Sequence, residues 1–168
     1  MIEGEKVNIR RLMPDDLEHI LQFRNENKQD NEGKSIEDIQ EWYDGIQEDT
    51  TKGWFIVTTK AGRPIGEIGY TQRDARRTDI NIIRLGREHR NMGYGTDAMK
   101  AFSAFLFANT RVSDIFVFVG NENKGAIRCY EKCGFKRKAV RRAIGSGNET
   151  VIMTLENPGI LTEISKAE

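Results

Sequence analysis

The sequence predicts one α/β domain, in which helices cover both faces of a mixed, mostly antiparallel central sheet of about seven strands. Two observations predict this class. Apolar residues alternate in some stretches and recur every third or fourth position in others, and 168 residues suit a single compact core. We expect one domain over 1–168, with its core over residues 7–155 and a frayed C-terminal tail over 156–168.

The first part of the chain predicts a strand followed by two helices. Residues 7–12 (VNIRRL) alternate like a half-buried strand, and Pro14 then marks the start of a helix. Ser35 opens a second helix, because Asp38 three residues later completes a capping box and apolar residues follow at helical spacing.

Three strands should follow these helices. Residues 53–59 (GWFIVTT) and 65–72 (IGEIGYTQ) flank a turn that contains Gly and Pro, which predicts a β-hairpin. Residues 78–85 (TDINIIRL) should add a further antiparallel strand to that hairpin.

The second half of the chain alternates between helix and strand. The predicted elements are, in order, a helix over 94–109, a strand over 114–119, a helix over 123–133, and strands over 135–143 and 149–155. Gly134 should end the second of these helices, because a glycine after a helix can take a left-handed conformation.

The composition excludes several classes of protein. Lys plus Arg number 26 and Asp plus Glu also number 26, so no net charge favours nucleic acid or a membrane surface. No apolar run approaches the roughly 20 residues that span a bilayer, and the first residues lack a signal-peptide segment. Cys129 and Cys133 alone predict neither a disulfide framework nor a metal cluster. We expect a cytoplasmic protein with no metal, no nucleic-acid partner and no membrane partner.

The stretch RNMGYGTD, residues 90–97, predicts an anion-binding turn. Gly93 and Gly95 lack a β-carbon, so the backbone can approach a ligand closely and point consecutive N–H groups into one concavity. The following helix adds its unsatisfied N–H groups and positive dipole end, while Arg87 and Arg90 add charge. The expected guest is a phosphate or pyrophosphate. The alternative is that the glycines only connect a strand to a helix.

Two nucleotide-binding motifs compete for this turn. A P-loop is excluded, because no Lys-Ser or Lys-Thr pair follows the glycines at the required spacing. A dinucleotide fingerprint is formally matched by Gly93, Gly95 and Ala98, with Glu122 past the next strand as the ribose-binding acid. The polar segment 86–91 separates the apolar strand from the first glycine, however, which makes a dinucleotide-binding protein the less favoured alternative.

Two motifs taken together resemble a known family. RNMGYG, residues 90–95, fits the pattern [QR]-x-x-G-x-[GA], and NKGAIRCYEKCGF, residues 123–135, fits N-x-x-[AS]-x-x-x-Y-x-K-x-G-F. With the strand pattern around them, these motifs resemble the GNAT superfamily of acetyl-CoA-dependent N-acetyltransferases over residues 7–155. The chain is similar to both the ribosomal-protein N-terminal acetyltransferase and the aminoglycoside 6′-N-acetyltransferase branches.

The resemblance implies an acyl-CoA N-acyltransferase fold and acetyl-CoA, the acetyl thioester of coenzyme A, as acyl donor. The cofactor-binding residues that it implies are Leu85, Arg87, Arg90, Asn91, Met92, Gly93, Tyr94, Gly95, Thr96, Asn121, Asn123 and Tyr130. A backbone N–H near Leu85 would bind the oxyanion, with Gly86 marking a strand bulge. Asn123 would contact the pantetheine arm or cap its helix.

The same resemblance implies catalytic roles. Acetyl transfer needs a neutral amine, stabilisation of the oxyanion and a proton for the departing thiolate. Tyr130 holds the position where the family commonly places a hydroxyl beside the sulfur, so it is the expected general acid. Asp79 stands where many members carry a Glu and is the expected base, directly or through water, unless it is a solvated residue at the start of a strand. Alternation places Asn81 and Ile83 on the face of Asp79, where Asn81 could instead orient the substrate.

The expected acceptor is a primary amine on a small molecule or a peptide. Residues 36–49 contain six carboxylates and no Lys or Arg, which favours a polyamine or aminoglycoside if this helix borders the acceptor cleft. An ordinary solvated helix face has the same composition. A protein N-terminus is the third candidate, and homodimers are frequent in the family. The alternative function is a non-catalytic acyl-CoA sensor or partner-binding module.

Overall fold

A computed structural model describes residues 1–26 and 34–159 of the chain. Within these residues one sheet has eight strands: β1 (Ile2–Glu3), β2 (Val7–Arg11), β3 (Lys52–Thr59), β4 (Pro64–Gln72), β5 (Arg77–Leu85), β6 (Asp114–Gly120), β7 (Lys136–Arg142) and β8 (Glu149–Glu156). The helices are α1 (Leu17–Asn25), α2 (Ile36–Glu48), α3 (Tyr94–Asn109) and α4 (Lys124–Lys132). The strands lie in the order β1-β2-β3-β4-β5-β6-β8-β7, and only β5 and β6 pair in parallel.

The predicted fold class is confirmed, and the predicted strands and helices are present with ends that agree to within a residue in most cases. Strand β1 was not predicted, because two residues are too short to show an alternating pattern. It pairs with β2, where Ile2 lies opposite Ile9. Strand β8 runs to Glu156, the first residue of the predicted tail, and residues 160–168 lie outside the described part of the chain.

Local signals in the sequence set the helix ends. The capping box before α2 is present, because the Asp38 N–H donates to the Ser35 Oγ at 3.2 Å and the Ser35 N–H donates to Asp38 Oδ2 at 2.8 Å. After α4, Gly134 takes a left-handed conformation with φ 93°, as the sequence predicts.

Two layers of helices enclose two apolar cores. Helices α3 and α4 cover the larger core on one face of the sheet, with Met99, Phe102, Ile127 and Tyr130 packed against strand residues such as Ile68. Helices α1 and α2 cover the smaller core on the other face, formed by Leu12, Leu17, Ile20, Phe23, Ile39 and Ile56. At the border of this smaller core, Trp42 and Trp54 pack edge to face with their ring centres 5.0 Å apart. No helix among the described residues is long and apolar enough to cross a membrane.

The half of the sheet formed by β6, β8 and β7 differs from the other half. Its side chains alternate, so Val117 is buried against the larger core while Phe118, the next residue, is 40% exposed on the opposite face. Within the described residues, neither core includes Phe116, Phe118 or Ile152. We call this surface, around Phe116, Phe118 and Ile152, the open face.

The strand bulge lies at Asn81 rather than at Gly86. Ile80 pairs with Tyr70 and Ile82 pairs with Gly69, which leaves Asn81 without a partner in the register. Its side-chain amide donates to Thr71 Oγ1 at 2.6 Å. The expectation that Ile83 shares a face with Asp79 is therefore wrong, because the extra residue reverses the alternation and Ile83 packs against the larger core.

Candidate active site

Strands β5 and β6 diverge and leave a cleft between them. They pair only where Arg77–Asp79 meets Asp114–Phe116, although β5 continues to Leu85 and β6 to Gly120. Their outer edges stay paired with β4 and β8 over these lengths. Within the described residues, the facing edges beyond the paired segment therefore offer backbone N–H and C=O groups that no strand occupies, and an extended ligand arm can pair with them.

The turn between β5 and α3 lies at the open end of this cleft and suits an anion. Asn91 and Gly93 both take left-handed conformations, with φ 60° and 83°, and Gly93 precedes the first turn of α3. No side chain caps α3, so its first N–H groups are available to a ligand. A diphosphate fits this combination of free donors and the positive end of a helix dipole.

The start of the chain is fastened to the first turn of α3. The Asp97 carboxylate accepts the backbone N–H groups of Glu5, Lys6 and Val7 at 3.0, 2.8 and 3.0 Å. The Lys6 Nζ donates to the backbone oxygen of Met92 at 3.1 Å. The result is a groove of about 690 Å³ beside the turn, lined in part by Lys6, Lys100 and Lys132. Sequence reasoning missed Lys6, because the two segments are about ninety residues apart and neither carries a motif for the contact.

The two arginines of the turn contact the protein itself. The Arg87 N–H donates to Glu26 Oε2 at 2.8 Å, and the Arg87 guanidinium donates to the Glu26 backbone oxygen at 3.2 Å. The Arg90 Nε donates to the Leu85 backbone oxygen at 3.2 Å. Arg87 therefore links the turn to the end of α1, and Arg90 links it to the end of β5. Their expected contact with the cofactor stays a prediction.

The two predicted asparagines lie across the cleft, after β6. The Asn121 amide donates to Glu149 Oε2 at 3.1 Å. Asn123 Oδ1 accepts the Ala126 N–H at 3.1 Å and caps α4, which is one of its two expected roles. The pantetheine contact expected of either residue stays a prediction.

Tyr130 is a buried phenol on the inner side of α4. Its side chain packs in the larger core with the Phe135 ring centre 5.7 Å away, and the residue is 9% exposed. Burial raises the pKa of Tyr130, and the neighbouring Cys129 and Cys133 raise the pKa further. The hydroxyl therefore keeps its proton at neutral pH, as a general acid must.

A small thiol cluster lies directly behind the turn. Thr96 Oγ1 and Cys129 Sγ are 3.3 Å apart, and the Cys133 Sγ donates to the Thr96 backbone oxygen at 3.6 Å. The contacts of Cys129 with Cys133, and then with Thr96, lower the pKa of the Cys129 thiol below its usual range. The sequence analysis expected neither a disulfide nor a metal cluster from these cysteines and did not predict their contact with Thr96. Their spacing of four residues in a helix, which puts them on one side, was the signal that they would meet.

Asp79 lies at the closed end of the cleft, where β5 and β6 still pair. Its carboxylate is 2% exposed, and its oxygens accept the Arg73 Nε at 2.7 Å and the Arg77 Nε at 2.8 Å. Asp79 is therefore not the solvated strand residue that the sequence analysis offered as an alternative. Both of its oxygens accept hydrogen bonds from guanidinium groups. Its expected role as the base stays a prediction that this arrangement disfavours.

A second buried carboxylate, Glu67 on β4, was not singled out from the sequence. It is 0% exposed and accepts hydrogen bonds from Trp54 Nε1 at 2.8 Å, Arg24 Nη2 at 3.1 Å and Arg84 Nη1 at 3.3 Å. The Arg24 guanidinium also stacks 3.9 Å from the ring centre of Trp42. A glutamate inside the apolar run IGEIGY was the available signal, because a buried carboxylate requires partners.

The structure also tests the dinucleotide alternative. That alternative is wrong, because a doubly wound fold needs a parallel sheet, and among the described strands only β5 and β6 pair in parallel. No group of three or more His, Cys, Asp or Glu residues in the described ranges is placed to hold a metal ion.

Comparisons with known proteins show which family the chain resembles. Residues 6–136 match the family described as Acetyltransferase (GNAT) domain. The probable N-acetyltransferase YjcK of Bacillus subtilis is 25% identical over 157 residues, which cover 84% of this chain and 87% of that protein. The spermidine N(1)-acetyltransferase of Vibrio cholerae is 27% identical over 107 residues, which cover 61% of this chain and 60% of that protein.

A solved structure has the same fold. The spermidine N-acetyltransferase of Vibrio cholerae in complex with CoA and spermine matches with a TM-score of 0.82 at 20% identity, over 94% of this chain and 99% of that chain. At this identity the likeness shows the fold alone, whereas the family match extends over most of the chain. The chain therefore belongs to the GNAT acetyltransferase family and is an acetyl-CoA-dependent N-acetyltransferase.

Proposed function

We propose that the protein binds acetyl-CoA and a primary amine together and transfers the acetyl group directly between them, with Tyr130 as the general acid. The observation that carries this proposal is the divergence of β5 and β6, at the end of the sheet where the uncapped start of α3 lies. Tyr130 is buried in the core that α3 and α4 cover. Acetyl-CoA supplies the activated acyl group as a thioester.

The cofactor fits the residues at the open end of the cleft. The free N–H groups at the start of α3 suit the diphosphate of coenzyme A, with Gly93 and Gly95 allowing close approach. The unpaired edge of β5 suits the amide-containing arm, because peptide-like amides pair with a strand edge. A backbone N–H near Leu85 would stabilise the negative charge that develops on the carbonyl oxygen.

Tyr130 is the proton donor in this proposal. The departing thiolate needs a proton, and a phenol donates one only while it is protonated. Because the pKa of Tyr130 is raised by burial and by the neighbouring thiols, the hydroxyl stays protonated throughout the neutral range and well into the alkaline range.

We infer that water, rather than a side chain, takes the proton from the amine. Asp79 and Glu67 are buried carboxylates on the strands beside the site, and each is held by two guanidinium groups. Every oxygen of these two carboxylates already accepts a hydrogen bond from a guanidinium group, and neither carboxylate faces an open solvent site. The amine therefore reaches the site neutral or loses its proton to solvent.

The acceptor is a primary amine. The names of the spermidine acetyltransferases support an amine acceptor in general, and the polyamine, aminoglycoside and protein N-terminus stay as candidates. The six carboxylates of residues 36–49 lie mostly on the exposed side of α2, opposite the buried Ile39, so they support a polycation only weakly. A homodimer and a cytoplasmic location stay predictions.

The test is an acetylation assay with matched tyrosine variants. Purified protein is incubated with acetyl-CoA and a panel of polyamines, aminoglycosides and peptides while release of the free thiol is followed. We expect Tyr130→Phe to lower kcat by about 10²- to 10⁴-fold, which is typical for the loss of a general acid. Tyr43→Phe on α2 serves as the control and should leave kcat unchanged.

The pH profile gives a second test of the same acid. We expect kcat to show no fall on the alkaline side below about pH 10, where an unperturbed tyrosine would begin to lose its proton. An unchanged kcat in Tyr130→Phe would remove Tyr130 from the mechanism. Binding of acetyl-CoA without acetylation of any amine would favour the non-catalytic sensor.

A further inference from the structure

The open face offers a surface for the part of the acceptor that does not react, and this inference rests on the proposed function. Helices α3 and α4 cover one side of the cleft between β5 and β6. The opposite side leads onto the open face, where Phe118 is 40% exposed. An amine that approaches from the uncovered side therefore brings the rest of its molecule over Phe116, Phe118 and Ile152.

Cations surround the aromatic floor of the open face. The Arg77 guanidinium lies 3.9 Å from the ring centre of Phe116, and the Lys138 Nζ lies 5.0 Å from the same centre. Asp79, which lies opposite Phe116 in the strand register, holds both Arg77 and Arg73 through its two oxygens. The Arg73 side chain is 55% exposed and the Arg77 side chain 36% exposed, so both guanidinium groups can also bind a ligand from solvent.

The charges of the residues that form the open face do not balance. By strand register and contact with Phe116 and Asp79, the cations there are Arg73, Arg77, Lys136, Lys138 and Arg141. The strand carboxylates on the open face are Asp79, Asp114 and Glu156, whereas the six carboxylates of residues 36–49 lie on the same side over the other half of the sheet. Asp79 is already shared between two of the arginines. A polycation over this face would meet like charge, whereas a carboxylate would meet the opposite charge.

We propose that the open face selects amine acceptors that also carry a carboxylate, with Arg73, Arg77 and Lys138 as the groups that bind it. Of the three candidate acceptors, polyamines and aminoglycosides are polycations. A peptide N-terminus followed by an acidic residue combines a reactive amine with the charge that this surface complements.

The edge position of β7 provides an ordinary explanation for part of this charge. Lys and Arg on an edge strand keep it from pairing with other chains, and all seven residues of β7 are exposed. That explanation accounts for Lys136, Lys138 and Arg141. It does not account for Arg73 and Arg77, which lie at the β4–β5 turn and the start of β5 and are both held by a buried aspartate.

The experiment measures binding independently of turnover. The protein is saturated with coenzyme A, which has no acetyl group to transfer, and four probes are titrated by calorimetry: the peptides Ser-Glu-Phe-Gly-amide and Ser-Lys-Phe-Gly-amide, free glutamate, and spermidine. We expect the glutamate peptide to bind about tenfold more tightly than the lysine peptide, because up to three partly exposed cations contribute. The titration with free glutamate shows whether a small amino acid binds as well as a peptide that carries the same carboxylate.

Charge-reversal variants assign the effect to named residues. Lys138→Glu and Arg73→Glu should each lower the preference for the glutamate peptide by about tenfold, because an attraction becomes a repulsion. Arg11→Glu is the matched control, since Arg11 is exposed on β2 at the other end of the sheet. It makes the same change in net charge and should leave the preference intact.

Two results would overturn the proposal. The first is equal affinity for both peptides. The second is that spermidine binds more tightly than the glutamate peptide and that Lys138→Glu does not increase the affinity for spermidine. Loss of the preference in Arg11→Glu would also overturn it, because the effect would then follow net charge alone. A failure of the proposed function looks different. The glutamate peptide would bind with the expected preference, yet acetyl-CoA would not acetylate it.

Discussion

Each half of the sheet contains a buried carboxylate that is held by two arginines, but the arginines differ in their exposure to solvent. In the half covered by α1 and α2, Glu67 is held by Arg24 and Arg84, whose side chains are 12% and 11% exposed. In the open half, Asp79 is held by Arg73 and Arg77, whose side chains are 55% and 36% exposed. Both carboxylates are fully enclosed, and only their partners differ in access to water.

This difference distinguishes two kinds of ion-pair cluster. The cluster around Glu67 only stabilises the fold, whereas the cluster around Asp79, here called the presenting cluster, orients charged groups toward solvent. Around Glu67 the Arg24 guanidinium packs on Trp42 and Trp54, and both arginine side chains are nearly buried, so the cluster joins α1 to the sheet and exposes little charge. Around Asp79 the same kind of pair leaves the outer edges of its arginines free for a ligand. A buried ion pair can therefore orient surface charge as well as tie elements together.

The largest expected effect comes from breaking the enclosed cluster. Glu67→Ala should lower the free energy of unfolding by about 3–5 kcal/mol, because Arg24 would stay buried without its carboxylate. Urea unfolding followed by circular dichroism measures this loss. A decrease below about 1 kcal/mol would mean that the arginines reach water and that the two clusters are alike.

A substitution on the covered face of β6 should have the next largest effect. Val117→Thr places a hydroxyl where the residue is 1% exposed, and the unpaired group should cost about 1–3 kcal/mol. The same unfolding assay applies. Tolerance of this change would show that the covered face of β6 admits water.

The presenting cluster should be easier to break than the enclosed one. Asp79→Asn should cost about 1–2 kcal/mol, since Arg73 and Arg77 can turn to solvent once the carboxylate is gone. The free energies of unfolding of Asp79→Asn and Glu67→Ala are measured side by side in the same urea assay and compared. A cost as large as that of Glu67→Ala would assign Asp79 a structural role equal to that of Glu67.

The smallest effect is expected on the open face. Phe118→Thr should change the free energy of unfolding by about 0.5 kcal/mol or less, because Phe118 is 40% exposed and threonine suits a strand. Paired with Val117→Thr, it compares adjacent residues on opposite faces. A loss comparable to that of Val117→Thr would show that something covers the open face in solution.

Much of the fold was predictable because its signals are local. The apolar spacing of α3 and the glycines before it fixed a helix over Tyr94–Asn109, and Ser35 with Asp38 marked the start of α2. The bulge at Asn81 was not predictable, since an alternating sequence looks the same with one residue left out of register. Short β1 offered no pattern at all.

The site divides in the same way. Gly93 and the N-terminal end of α3 were visible, because a glycine-rich turn and a helix start lie in one stretch of chain. The partners of Glu67 were not visible, since Arg24 is 43 residues away and no spacing rule links them. Arg77 lies two residues before Asp79 on the same strand face, yet the pattern alone does not say that the carboxylate is enclosed.

The fastening of residues 5–7 to Asp97 has a consequence for the order of assembly. During synthesis the amino-terminal segment emerges long before Asp97, which follows about ninety residues later. A loop of that length closes slowly unless the intervening strands have already shortened it. The groove beside the turn before α3 should therefore form only after β2 to β5 have paired, and β6, α4 and β8 must still be added before the cleft is complete.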